Sequence, residues 1–105
     1  MAWLYLTFAG ALEIVWAFSM KQSEGFTRPI ASSITLIAMI GSFGLLSLAM
    51  KSLPLGTAYA VWTGIGALGA FLIGILVLNE PTNALRIAAA LMIGGGLLLM
   101  KLSTP

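Results

Sequence analysis

Long apolar runs alternate with short polar breaks along this chain, and the spacing of the breaks predicts four helices. The first run, Ala2 to Met20, is interrupted once, by Glu13, and closes at Lys21-Gln22-Ser23-Glu24-Gly25. The second, Ile30 to Met50, carries no charge and follows Arg28-Pro29, with the proline suited to a first helical turn. Lys51-Ser52-Leu53-Pro54-Leu55-Gly56 reads as a short turn, after which a glycine-rich third run extends from Thr57 to Leu78. Asn79-Glu80-Pro81-Thr82-Asn83 breaks it, and the last run is Ala84 to Leu102. A hydrocarbon core about 30 Å thick needs about 20 mostly apolar residues per helical span. All four runs meet that requirement. The expected architecture is therefore an all-α integral membrane protein, a single four-helix transmembrane domain over 1–105 with spans 2–20, 30–50, 57–78 and 84–102. A signal peptide is not expected from the first run, because no basic segment precedes it, no small-x-small cleavage pattern follows it, and an acid sits in its middle.

Composition strengthens this reading and excludes several chemistries. Only 8% of residues are charged, whereas a soluble domain carries about 25%. Cysteine and histidine are both absent, and the acids are Glu13, Glu24 and Glu80. No disulfide, metal site or cofactor is expected, and without a visible nucleophile and base or ligand cluster no enzyme is expected either. The five basic residues stand singly at the ends of apolar runs, where Lys and Arg anchor helices to the lipid headgroups. They do not form a nucleic-acid patch.

The same charges bear on orientation. Four spans place both termini and the central turn on one side with Lys51 and Lys101, and the other two turns opposite with Lys21, Arg28 and Arg86. Since the Lys and Arg bias of short loops sets orientation, two against three is a weak instruction. Dual topology is one expectation; a weak bias resolved one way is the other.

The chemistry centres on Glu13. An ionisable side chain in mid-membrane costs at least about 2.5 to 3.5 kcal/mol on insertion scales, so it invites a functional reading. The alternative is a protonated acid hydrogen-bonded to a neighbouring helix. No basic residue lies in mid-span to neutralise it, which leaves a proton or a mobile cation for that task. Helical spacing puts Gly10, Trp16 and Ala17 on the same face, with the glycine and alanine leaving space and Trp16 offering an aromatic wall and an indole donor. The second span brings Ser42 at mid-depth, unless its hydroxyl bonds its own backbone. The third brings Tyr59 and Trp62, three apart; Tyr59 alternatively belongs to an interfacial aromatic belt. A carboxylate, aromatic faces and hydroxyl or indole donors form a box for a small organic cation. Gly64-Ile65-Gly66 follows, and is read either as a hinge or as a close-packing surface. Gly94-Gly95-Gly96 and the alanines at 88–90 make the fourth span the candidate for dimerisation. Four helices do not comfortably enclose a path, close it on either side and supply more than one deep carboxylate, so a second copy is expected. If the copies insert oppositely, the dimer gains inverted-repeat symmetry, and exchange of subunit roles turns an inward-facing state into an outward-facing one.

These residues resemble a known family. The four-span layout, Glu13, Ser23-Glu24-Gly25-Phe26-Thr27-Arg28 and Pro54-Leu55-Gly56-Thr57-Ala58-Tyr59-Ala60-Val61-Trp62-Thr63-Gly64-Ile65-Gly66-Ala67 look like the small multidrug resistance family over essentially the whole chain. With Trp16 and Ser42 the pattern is most similar to its guanidinium exporter subtype. The resemblance implies an antiparallel homodimer in the bacterial inner membrane that exchanges guanidinium for protons; guanidiniums with small alkyl tails, which keep their donors at one end, are expected to pass as well. It implies that Glu13 binds protons or substrate in turn, that Trp16, Ser42 and Trp62 hydrogen-bond or line the site, and that Tyr59 stands at its edge. Gly64-Ile65-Gly66 corresponds to the bend, and Ala89 and Gly96, seven apart, to the dimer contact, with alanine where the family often has glycine. The alternatives are a broader exporter of quaternary ammonium compounds and, in a different class, a small membrane scaffold or accessory subunit.

Overall fold

A computed structural model describes residues 1–103, with Thr104 and Pro105 outside the described residues. It contains four α-helices: α1 (Ala2–Gln22), α2 (Pro29–Ala49), α3 (Leu55–Leu76) and α4 (Ala84–Ser103). Each is long and apolar enough to cross a membrane. At about 1.5 Å per residue, helices of this length reach about 30 Å, the thickness of the hydrocarbon core.

Local chemistry explains the helix ends. Pro29 takes the first position of α2 behind an extended Arg28. Pro54 caps α3 with φ −58° and ψ 149°, and its carbonyl accepts from the Ala58 N–H at 3.0 Å. A proline there suits a helix start, so α3 takes in Leu55 and Gly56, two residues placed in the turn by the sequence pattern. Asn83 precedes α4 and its Oδ1 accepts from the Arg86 N–H at 3.0 Å, satisfying one of the free donors of the first turn. The α1–α2 loop turns through three successive left-handed residues, Glu24, Gly25 and Phe26. Buried Ser23 braces it: its hydroxyl donates to the Met20 carbonyl at 2.6 Å and accepts from the Phe26 N–H at 3.0 Å.

The helices lie side by side rather than in a closed bundle. α1 packs against both α2 and α3, α2 touches α3 only lightly, and the backbone of α4 approaches that of α3 alone. The body is accordingly a slab, 43 × 35 × 16 Å. Its tightest core, Leu6, Ala9, Leu46, Ala49, Ala58, Val61 and Trp62, gathers toward the end that holds the N-terminus. Glycines bring the backbones together: a Cβ on Gly10 would meet Ile65, one on Gly69 would overlap Ile14, and one on Gly64 would meet Leu97 of α4. No residue of α4 is buried.

Candidate functional site

The deepest polar connection joins three helices through one hydroxyl. Ser42 on α2 is fully buried; its Oγ donates to the Ala9 carbonyl of α1 at 2.7 Å and accepts from the Trp62 indole N–H of α3 at 2.9 Å. Ser42 therefore bonds across helices and not to its own backbone. With its single donor committed, it keeps one acceptor lone pair in reserve. Trp62, 6% exposed, is held with its ring plane set by that bond.

An aromatic chain extends from this point. The Tyr59 and Trp62 ring centroids stand 5.7 Å apart, and Phe43 is edge-on to Trp62 at 5.6 Å and to Trp16 at 6.3 Å. Three of the four rings are expected from the sequence. Phe43 is not: half-exposed and apolar, it looks like any lipid-facing residue, and its position beside Ser42 is the signal that points to it.

Glu13 lies against α3 at Gly66, where a Cβ would overlap the carboxylate. Only glycine lets the backbone approach this closely. Its Oε1 is buried without a hydrogen-bond partner among the described residues, and the same holds for Trp16 Nε1, three residues further along α1. An acceptor and a donor, both buried and unpaired, are costly unless something binds there. Among the described residues no cation of the chain forms an ion pair with Glu13: the pairs are Lys21–Glu80 at 3.7 Å and Arg28–Glu24 at 3.1 Å, both at helix ends or in loops, while Arg86 and Lys101 lie over Phe71 and Trp3.

The other expected residues fall elsewhere. Gly10 is buried beneath Ile65, where it serves the contact of α1 with α3. Gly64 and Gly66 lie within an unbroken α3, each facing a neighbour closely, so packing accounts for both in this conformation. Ala89 and Gly96 are exposed on α4. Gly96 lines a groove of about 430 Å³ between α3 and α4, together with Ala60, Thr63 and Ala67.

No group of three or more potential metal ligands occurs among the described residues. The family model described as Small Multidrug Resistance protein matches residues 1–93. A protein of Escherichia coli (strain K12) named guanidinium exporter is 54% identical over 104 residues, covering 99% of each chain. Proteins of the same name from Citrobacter freundii and Salmonella typhimurium are 52% identical over the same share.

Proposed function

The chain belongs to the small multidrug resistance family, as a multi-pass protein of the bacterial inner membrane, and from that premise we propose that it exports guanidinium in exchange for protons. The observation that carries this reading is Glu13: a carboxyl oxygen buried in mid-span, unpartnered, with no fixed cation near it. Burying an unpaired charge is so costly that such a carboxyl crosses the membrane neutralised, by a proton or by a cation. One group that accepts either but not both is the minimum machinery of exchange.

Guanidinium fits the remaining chemistry. It is planar, with parallel N–H donors that grip a carboxylate at two points. Trp16, Phe43, Trp62 and Tyr59 supply π faces for cation–π attraction. The Ser42 hydroxyl, tied between the Ala9 carbonyl and the Trp62 indole, fixes the Trp62 ring in place. Small alkyl-substituted guanidiniums keep donors at one end and pass as well.

The working unit is an antiparallel homodimer. A slab 16 Å thick is too thin to enclose a path and close it on either side, and α4, bare of buried residues, offers Ala89 and Gly96 to a second copy. Two Glu13 carboxyls in one low-dielectric site then titrate as a coupled pair. Gly64-Ile65-Gly66 is the hinge about which the loaded site changes the side it faces.

The test is reconstitution of the purified protein in liposomes, with substrate-induced currents recorded on solid-supported membranes. Guanidinium is expected to give currents that fall as the pH is lowered, by competition at Glu13, and that vanish in Glu13→Gln. Currents with a hydrophobic quaternary ammonium alone would transfer the protein to the multidrug reading. Silence with both would refute a self-sufficient exporter.

A further inference from the structure

The three buried polar atoms without partners, Glu13 Oε1, Trp16 Nε1 and Ser32 Oγ, are not scattered. Trp16 and Ser32 belong to α1 and α2, which pack on each other, while Glu13 lies on α1 where it meets α3 at Gly66. Ser42 stands opposite Ala9. Counting along the antiparallel pair, seven residues, or about 10 Å, bring Thr35 level with Trp16, and ten, or about 15 Å, bring Ser32 level with Ser19. Thr35 is fully buried and Ser19 is 8% exposed. The Thr35 hydroxyl donates to the Ala31 carbonyl at 2.8 Å and so faces its neighbours with acceptor lone pairs.

Glu13 thus separates two polar regions. On the side of the termini lie Ser42, Trp62 and Tyr59, where hydroxyl and indole are already bonded to each other. On the side of the α1–α2 loop lie Thr35, Ser32 and Ser19, with Ser32 Oγ buried and unpartnered among the described residues. This second region reaches the outside: Ser19 also lines a groove of about 410 Å³ that runs to Gln22 and Arg28 at the loop. Thr35 and Ser19 are buried and Ser32 Oγ is left without a partner among the described residues; an orphaned buried hydroxyl is where bound water bridges polar atoms.

We propose that the α1–α2 seam, through Ser19, Ser32 and Thr35 and the water they bind, carries protons between Glu13 and the loop face of the membrane, apart from the aromatic side that holds the cation. The proposal rests on the exchange reading above. A proton entering from the loop face is accepted by the first water or serine hydroxyl, which passes on a different proton. The last water delivers one to Glu13 Oε1 as the cation departs, and outward conduction reverses each hop. Nothing is oxidised or reduced. The Trp16 indole keeps its hydrogen throughout and orients the final water.

Ser32→Val and Ser32→Thr in proteoliposomes separate the path from the binding site. Two rates are compared: proton flux driven by a guanidinium gradient, followed with a trapped pH dye, and exchange of labelled for unlabelled guanidinium, which moves no net proton. In Ser32→Val the proton-coupled rate is expected to fall at least about tenfold, the lower end of what a positioned proton-transfer group contributes, with guanidinium self-exchange within about twofold of wild type. Ser32→Thr, which restores a hydroxyl, is expected to recover coupled flux. Equal retention of both rates in Ser32→Val, or equal loss of both without rescue by threonine, overturns the path. Failure of the wild-type protein to exchange guanidinium at all would instead overturn the function on which the path rests.

Discussion

A methyl group at position 66 would occupy the space of the Glu13 carboxyl, whereas one at position 69 would strike only the Ile14 side chain. Overfilling a packed contact costs about 1–3 kcal/mol at either place, but the losses should appear in different measurements. Gly66→Ala is expected to weaken guanidinium binding, read from quenching of tryptophan fluorescence, by about tenfold or more. Gly69→Ala is expected to lower unfolding stability in detergent with little change in affinity. Unaltered affinity in Gly66→Ala would show that this contact does not shape the site. Glu13 was legible in the sequence because it is the single charge in mid-span, where expense demands a reason. Its dependence on Gly66 was not legible: which glycine lies beside which residue is decided by the register of α1 on α3, and periodicity within one helix carries no information about that. Ser32 and Thr35 escaped notice for a related reason. A hydroxyl in an apolar helix ordinarily bonds its own backbone, as Thr35 does, and only the packed structure shows that Ser32 does not.

Among the elements, α4 is the one whose start depends most visibly on a side chain. Asn83 caps it, and Arg86 in the first turn donates to the Pro81 carbonyl at 3.1 Å while lying over Phe71. Replacing Asn83 by alanine removes the cap, and about 1 kcal/mol of unfolding free energy should go with it. Titration with a denaturing detergent measures this; an unchanged midpoint would mean that Arg86 alone anchors the helix. Helix number and approximate extent could be read from apolar run length, since lipid imposes the same minimum on every span. The ends could not be fixed as closely: Leu55 and Gly56 look like turn residues until Pro54 is seen capping the helix that contains them. Gly64-Ile65-Gly66 suggested flexibility or contact equally well, and the continuous α3 displays the contact.

For the molecule as a whole, orientation in the membrane is the property on which the proposed antiparallel dimer depends and that the charges leave nearly balanced. Lys51 and Lys101 face one aqueous phase, and Lys21, Arg28 and Arg86 the other. Two of the latter are paired with acids, Lys21 with Glu80 and Arg28 with Glu24, although acids count little toward insertion. A cysteine introduced at the amino terminus of the chain is expected to react with impermeant reagents from both sides of the membrane. Two extra lysines in the turn at 51–54 should collapse that to one side and abolish guanidinium exchange. One-sided labelling of the parent chain would rule out dual insertion. The bare surface of α4 carries a different consequence. Stability that a helix does not find within its own chain obeys mass action, so it depends on how many copies share each patch of bilayer. If α4 pairs with a second copy as proposed, the cell's rate of synthesis acts as a control on the fold itself: activity is then expected to rise more steeply than abundance, and export activity strictly proportional to abundance would overturn that.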